Sequence, residues 1–275
     1  MTKILNPTVG AISTGVSVIT AIKDREENLK KSLESWLGKR DINEIVIVDW
    51  DSKKPIRTFI DIENNPKIVL VEVRNQPKWI LAEAFNLAAR FSTKDKILKL
   101  DADIVLKKDF FEKNGLKKKK FICGNWKKAR NKNEKHLSGV LYCFRNDFFA
   151  NKGYDEKMRY YGQEDIDLYN RLVSFGLKRK DVNSNTLFHI DHPNSLRTIN
   201  QEKIFFGTEN LINRIRIRIR NNQLKNDSYQ NFTINIINNN HYILEKNKIR
   251  NPKEQILCII KEIKYLLKKQ GNEIK

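Results

Sequence analysis

The sequence has few cysteines and no long apolar run. Its three cysteines, Cys123, Cys143 and Cys258, lie far apart and form no Cys-x-x-Cys pair, so we expect neither a disulfide framework nor a zinc site. A transmembrane helix needs about 18 or more consecutive apolar residues, and the chain has no such run. The N-terminal segment also lacks the apolar core of a signal peptide. These absences together predict a cytoplasmic protein.

Glycine-rich nucleotide-binding motifs are absent as well. The chain contains neither the Gly-x-Gly-x-x-Gly sequence of dinucleotide-binding dehydrogenases nor the Walker loop of P-loop NTPases. In those proteins the glycines let the backbone approach a phosphate closely. The glycine-rich basic loop that sugar-phosphate nucleotidyltransferases carry after their first strand is also missing. We keep a nucleotidyltransferase only as a minor alternative.

What the chain has in excess is positive charge. It contains 53 Lys and Arg against 33 Asp and Glu, a net charge of +20. Such an excess attracts nucleic acid, acidic glycans, nucleotide phosphates or an anionic membrane surface. An A/T-rich genome would produce the same bias towards Lys, Asn and Ile codons without any partner. A basic, non-enzymatic binder of nucleic acid or acidic glycan therefore stays open as an alternative.

Apolar strands alternate with amphipathic helices through residues 16–106. This alternation predicts a parallel, right-handed βαβ sheet, and strands that are apolar throughout indicate that helices cover both faces. The chain is long enough for one α/β domain with a smaller appendage. The strands are predicted at Val16–Thr20, Glu44–Asp49, Ile68–Val73 and Lys96–Leu100, and the helices at Glu26–Leu37 and Trp79–Phe91.

Two carboxylates interrupt the apolar segment Lys96–Leu106, KILKLDADIVL. Successive side chains of a strand point to opposite faces, so Asp101 and Asp103 are predicted to share one face. Burying both charges there is unfavourable unless a cation lies between them. Ligands of open α/β sheets bind at the carboxyl ends of strands. The segment thus predicts a cation or ligand site, although a surface Asp-x-Asp turn would explain it without function.

Further acids, basic residues and imidazoles occur near predicted element ends. The helix that begins at Glu164 has three acids in its first turn, more than capping requires, and one of them could act as a general base. His189 and His192 end a strand-like run, and imidazole with carboxylate suits Mn²⁺. The loop Ala21–Arg25 precedes a helix N-terminus, a suitable place for phosphate.

The character of the sequence changes beyond residue 203. The basic segment Arg214–Arg220 fits either a half-exposed strand or a helix, and Asn231–Ile243 has no clear pattern. Pro252–Lys269 is predicted to be an amphipathic helix, which either packs on the domain or lies on an anionic membrane. We therefore expect a domain of residues 1–203 and a basic, mainly helical C-terminal extension of residues 204–275.

Taken together, residues 14–200 resemble the GT-A nucleotide-sugar glycosyltransferases. The nearest likeness is to glycosyltransferase family 2 and the galactosyltransferases, including chondroitin-polymerase-type domains. Asp101–Asp103 resembles the DxD motif. Ser138–Leu141, Gly153–Glu156 and Gly162–Leu172 are similar, in order and spacing, to the galactosyltransferase segment GGxL…GFDE…GGEDxDLxxR. The resemblance implies a Rossmann-like, mostly parallel sheet with helices on both faces.

The resemblance also implies roles for individual residues. Asp103 would bind Mn²⁺ or Mg²⁺ with His192 or His189, the former aligning better. Asp165, or Glu164 beside it, would deprotonate the acceptor. Gln163, Lys23 and Ala21 depart from the usual motifs, which leaves the acceptor pocket and the donor open. The remaining implied contacts are Thr20, Ala21, Lys23, Arg25, Asp49, Asp51, Asp101 and Ala102 for a UDP-sugar donor, and Tyr161, Gly162 and Asp167 for a glycan acceptor.

The implied activity is metal-dependent, inverting sugar transfer in surface polysaccharide or glycoconjugate synthesis. It involves no specific nucleic-acid partner. Its expected location is the cytoplasm, with peripheral contact to the inner face of an anionic membrane as a further expectation from the basic tail.

Overall fold

The computed structural model describes residues 12–159, 162–192, 212–214, 216–217, 232–238 and 240–246. Eleven strands and six α-helices have their bounds within this part of the chain. The strands are β1 Ser13–Ile22, β2 Ile42–Trp50, β3 Ile68–Arg74, β4 Lys94–Lys99, β5 Ile104–Leu106, β6 Lys120–Cys123, β7 Leu141–Phe144, β8 Lys178–Asp181, β9 Leu187–His189, β10 Phe232–Asn238 and β11 His241–Lys246. The helices are α1 Glu26–Leu37, α2 Leu81–Phe91, α3 Phe110–Lys113, α4 Lys132–Lys135, α5 Arg145–Ala150 and α6 Glu164–Ser174.

Nine strands form one mixed, mostly parallel sheet in the order β10-β11-β3-β2-β1-β4-β7-β6-β8. The central strands β3, β2, β1 and β4 are parallel, and β7 is antiparallel to both of its neighbours. Two apolar cores lie on opposite faces, one beneath α2 and α6 and the other beneath α1. Strands covered on both faces are apolar throughout, and the predicted α/β architecture is confirmed.

The apolar segment around the two acids is not one strand. β4 ends at Lys99, residues 102 and 103 form a turn, and the amide of Ile104 donates to the carbonyl of Asp101 at 3.1 Å. β5 then leaves the main sheet and pairs antiparallel with β9, with Ile104 opposite His189. The prediction that the two carboxylates share one strand face was therefore wrong. The turn directs Asp101 and Asp103 to different partners.

The last two described strands extend the same sheet. β10 and β11 form an antiparallel hairpin, and β11 pairs in parallel with β3. His241 Nε2 lies 3.0 Å from the buried Glu72 carboxylate, which Arg57 also contacts. At the start of the basic segment Arg214–Arg220 and just before it, residues 212–214 and 216–217 are helical, which favours the helix alternative there. The boundary at residue 203 stays a prediction, and the predicted helix Pro252–Lys269 lies outside the described residues.

A short 3₁₀ helix, His136–Gly139, precedes β7, so that the segment reaches its extended conformation only at Leu141–Phe144. Among the described residues, no helix combines the length and the apolar character needed to cross a bilayer.

Candidate active site

A cleft of about 750 Å³ opens where the main strands end. Its floor is formed by the ends of β1 and the residues after β4, and its walls by the starts of α2 and α6 and the segment after β6. This is the carboxyl edge of the parallel strands, the usual ligand position in open α/β sheets. The residues that line it include Ala21, Lys23, Arg25, Asp101, Ala102, Trp126, Gly162, Glu164, Asp165 and Arg214.

One carboxylate and two imidazoles gather beside the cleft. Asp103 Oδ2 lies 3.0 Å from His192 Nε2 and 3.6 Å from His189 Nε2. The pairing of β5 with β9 brings them together, because it sets the turn that carries Asp103 against the end of the strand that carries His189. Although burial raises the pKa of Asp103, the two neighbouring histidines and the charge of Arg25 hold it below its usual value.

These three side chains fit a divalent cation. Their ligand atoms lie within 4.8 Å of one another, and neighbouring ligands about 2.1 Å from one ion are roughly 3 Å apart. Carboxylate with imidazole is also a set that suits Mn²⁺. A second grouping, His136, His189 and Asp191, shares one imidazole with the first, but its carboxylate is largely exposed.

Arg25 joins this cluster to the cleft. Its Nη1 atom lies 3.2 Å from Asp103 Oδ2 and 2.9 Å from His192 Nε2. Because Arg25 also lines the cleft, its charge is placed where an anionic group would approach Asp103.

A buried lysine lies between two other acids. Lys99 Nζ is 2.7 Å from Asp101 Oδ1 and 3.7 Å from Asp165 Oδ1, and the lysine side chain is fully buried. The hydroxyl of Tyr154 donates to Asp165 Oδ1 at 2.9 Å. Burial raises the pKa of Asp165, against the opposing effect of Lys99. Asp165 is thus a fixed carboxylate facing the cleft, which is what a general base requires.

The fold is that of glycosyltransferases with solved structures. The catalytic domain of Drosophila β1,4-galactosyltransferase 7, in complex with xylobiose, matches with a TM-score of 0.58 and 15% identity, over 90% of this chain and 99% of that chain. A mutant of the same enzyme, in complex with manganese, UDP-Gal and xylobiose, matches with a TM-score of 0.56 and 15% identity, over the same shares of the two chains. GalNAc-T7 with UDP, GalNAc and Mn²⁺ gives 0.58 at 15% identity, over 74% of this chain and 48% of its own.

Two family models match consecutive parts of the sequence. A glycosyl transferase family 64 domain matches residues 16–113, and the N-terminal domain of galactosyltransferase matches residues 107–193. Between them they span the acids, the histidines and the helix α6. This chain is a GT-A glycosyltransferase. A search of curated protein sequences found no match.

The predicted donor residues of the glycosyltransferase divide into two groups. Ala21, Lys23, Arg25, Asp101 and Ala102 line the cleft. Lys23 also binds the ends of two neighbouring strands, since its ammonium donates to the carbonyls of residues 50 and 51 at the end of β2 and of residue 76 just after β3.

Asp49, Asp51 and Thr20 are outside the cleft lining. Asp49 accepts from the amides of Ser52 and Ile56, and Asp51 accepts from the amide of Gln76. These carboxylates organise the loop after β2, a use that local sequence does not distinguish from donor binding. The Thr20 hydroxyl is buried and has no hydrogen-bond partner among the described residues.

The predicted acceptor residues also divide. Gly162 lines the cleft, and its carbonyl accepts from Asn213 at 2.7 Å. Asp167 instead forms a buried ion pair with Arg171 at 2.9 Å. Two residues along a helix turn through about 200°, so Asp165 and Asp167 face different sides. Asp167 was predicted to bind the acceptor, but the structure places its side chain against Arg171 and outside the cleft lining. Tyr161 lies outside the described residues.

The structure of the glycosyltransferase places at the site several residues that were not predicted from the sequence. Trp126, half exposed, follows β6 directly and lines one wall. Arg214 reaches the cleft from the C-terminal segment, which matched no family. Lys99 had a detectable signal, because a lysine inside a buried apolar strand is rarely without a partner. Tyr154 stands in a segment that we matched to a motif without assigning it a role.

Glu164 differs from its neighbour in having no nearby ion pair among the described residues. Burial raises its pKa to about 8, so near neutral pH the folded enzyme keeps a proton that the unfolded chain releases above about pH 4.5. The free energy of unfolding should therefore fall with rising pH between about 4.5 and 8, by at most about 1.4 kcal/mol per pH unit from this group.

Glu164→Gln should remove this part of the pH dependence, since glutamine resembles the protonated acid and does not titrate. Urea unfolding of both proteins at pH 5.5 and 7.5 measures it, with wild type expected to lose more stability than the variant. Equal losses would show that Glu164 is ionised in the folded enzyme.

Proposed function

We propose that this glycosyltransferase moves a hexose from a UDP-sugar to a hydroxyl of a glycan acceptor, with Mn²⁺ or Mg²⁺ and with inversion at the anomeric carbon. The observation that carries the proposal is the separation of two acidic centres around one cleft. Asp103 lies with His189 and His192 on one side, and Asp165 faces the cleft from the start of α6. The first centre suits a nucleotide diphosphate, and the second suits an acceptor hydroxyl.

The donor and the metal are supported by the comparisons. The galactosyltransferase match covers the segment that carries Asp165 and both histidines. Structures with the same fold contain UDP-Gal with manganese, or UDP with Mn²⁺. An ion held by Asp103 and the imidazoles would supply Lewis-acid neutralisation of the diphosphate. Arg25 would contribute further positive charge from the cleft wall.

The protein side of the reaction is general-base catalysis. Asp165 accepts the proton of the acceptor hydroxyl while that oxygen forms a bond to the anomeric carbon. The bond from this carbon to the UDP oxygen breaks, and UDP departs with its electron pair. The acceptor approaches from the side of α6 and the diphosphate departs towards Asp103, so the two lie on opposite faces of the sugar and the configuration inverts. A surface polysaccharide or glycoconjugate is the acceptor class we propose.

A donor panel tests the proposal. UDP-Gal, UDP-GalNAc and UDP-Glc are incubated with Mn²⁺, Mg²⁺ or EDTA, with GDP-Man as the control, and UDP affinity is measured by calorimetry. We expect UDP to bind more tightly with Mn²⁺ and one UDP-hexose to release UDP fastest. NMR of the glycoside formed from an α-linked donor should show a β linkage. Failure to bind UDP in the presence of Mn²⁺ would contradict the proposal.

A further inference from the structure

One ammonium group at the floor of the cleft is enclosed by acids and an aromatic ring. Lys99 is the last residue of β4 and its side chain has no exposed surface. Its Nζ atom lies 2.7 Å from Asp101 Oδ1, 3.7 Å from Asp165 Oδ1 and 4.4 Å from the centre of the Phe85 ring. A buried charge is stable only when it is paired, so these contacts account for the lysine in an otherwise apolar strand.

The two carboxylates beside Lys99 come from distant parts of the chain. Asp101 follows β4, next to the turn that carries Asp103, and Asp165 belongs to the first turn of α6. Both are partly exposed to the cleft, Asp101 by 37% and Asp165 by 24% of the side chain. Because both carboxylates contact the same ammonium, they would repel each other and move apart if that cation were removed.

The space around this pair of contacts leaves little freedom. A Cβ on Gly139 would lie 2.7 Å from Asp101 Oδ2 and 2.8 Å from Lys99 Nζ, closer than real Cβ contacts. The Tyr154 hydroxyl holds Asp165 from the other side at 2.9 Å. Only glycine at position 139 leaves room for Lys99 and Asp101 in this arrangement. Asp165 is therefore held by a hydrogen bond from Tyr154 and by an ion pair with Lys99, in a closely packed setting.

We propose that Lys99 is a positioning residue for sugar transfer, which holds the donor-side acid Asp101 and the acceptor-side base Asp165 in one fixed arrangement. The proposal rests on the proposed function, in which Asp165 accepts the acceptor proton. Lys99 lies beneath the cleft surface and acts through these carboxylates. Misplacing a catalytic group by about 1 Å can lower a rate by about 100-fold.

The charge state of Lys99 agrees with this role. Burial by itself lowers the pKa of a lysine, but Asp101 and Asp165 outweigh burial and raise the pKa of Lys99. The lysine therefore stays an ammonium, and its charge favours the ionised form of Asp165.

The experiment is a double-mutant cycle of Lys99→Met with Asp165→Asn on the full chain, scored by kcat and by the KM for the donor. Lys99→Met should lower kcat by about 100-fold and should also raise the donor KM, because Asp101 loses its ammonium partner at 2.7 Å. Because Lys99 acts through Asp165, its removal should cost much less in the Asp165→Asn background. If Lys99 only maintained the fold, its removal would lower kcat by the same factor in the wild-type and the Asp165→Asn backgrounds.

Two further variants serve as controls. Lys96→Met removes another lysine of β4, whose partner is Asp95 at 3.3 Å outside the cleft lining, and should leave kcat near wild type. Lys99→Gln keeps a polar group in contact with Asp101 and decides the question if Lys99→Met fails to unfold cooperatively. Its kcat should also fall strongly, because the charge is lost.

The outcomes separate this inference from the proposed function. An active wild type with a Lys99→Met or Lys99→Gln variant of nearly equal kcat would overturn the inference alone. If the fold-losses in kcat of Lys99→Met and Asp165→Asn simply multiplied in the double variant, the two residues would act independently, and this result would overturn the inference as well. A wild type that neither binds UDP nor transfers sugar would overturn the proposed function, and the inference with it.

Discussion

Replacing Asp165 by asparagine should reduce kcat by about 10²–10⁴-fold, the range that a general base supplies. Asparagine has the size and shape of aspartate, and it can still accept the hydrogen bond from Tyr154 that holds Asp165 at 2.9 Å. It cannot take up the proton of an acceptor hydroxyl. UDP affinity in the presence of Mn²⁺ should change little, because Asp103 and the histidines remain. Steady-state transfer kinetics and calorimetry measure the two quantities separately.

Two nearby acids provide matched controls for this prediction. Asp167 lies two residues along the same helix but pairs with Arg171 and does not line the cleft. Asp167→Asn should therefore lower stability and leave kcat almost unchanged. Glu164→Gln distinguishes the two acids that the sequence offered as the base. A strong loss of kcat in Glu164→Gln, together with an active Asp165→Asn, would assign the base to Glu164.

Asp103→Asn should reduce transfer on the order of 10³-fold, since a metal supplies several kcal/mol of charge stabilisation. Asp103 is the carboxylate of the candidate metal cluster, with His192 Nε2 at 3.0 Å and His189 Nε2 at 3.6 Å. Without it, two imidazoles remain and no anionic ligand offsets the charge of the ion. In the variant, UDP affinity should no longer depend on Mn²⁺. In wild type, removal of the metal by EDTA should likewise reduce transfer.

The alternative grouping of ligands gives the control. Asp191 immediately precedes His192 in the sequence, yet it belongs only to the cluster with His136 and His189. If the ion binds at Asp103, Asp191→Asn should keep the Mn²⁺ affinity of wild type and His192→Ala should lose it. The reverse result would place the ion at the second cluster and contradict the assignment of Asp103.

Much of the central sheet was predictable because its signals are local. β1, α1, β2, β3, α2 and β4 each have a residue pattern of their own, apolar runs for the strands and three- and four-residue spacing for the helices. The start of α6 was predictable from its acids. These patterns depend on the chain over about 5 to 12 residues, so they survive without knowledge of the neighbours.

The arrangement of charges at the site was not predictable in the same way. Asp49 and Asp101 both follow an apolar strand, yet the first organises a loop and the second pairs with Lys99. Asp165 and Asp167 share one helical turn, yet only Asp165 faces the cleft. Asp49, Asp101 and Asp167 each meet a partner from a nearby stretch of the chain, whereas Asp165 meets Lys99 and Tyr154 from other elements. The fold decides which of these contacts forms, because it sets the direction in which each carboxylate points.

The sequence by itself determined the α/β architecture, the glycosyltransferase resemblance and the residue types that carry the proposed chemistry. Only the tertiary structure decided that the chain turns between Asp101 and Ile104, that β5 pairs with β9 to bring His189 beside Asp103, and that Lys99 lies between Asp101 and Asp165. The physical reason is range. Strand and helix patterns arise from neighbouring residues, whereas the position of a buried charge depends on which distant groups the fold places around it.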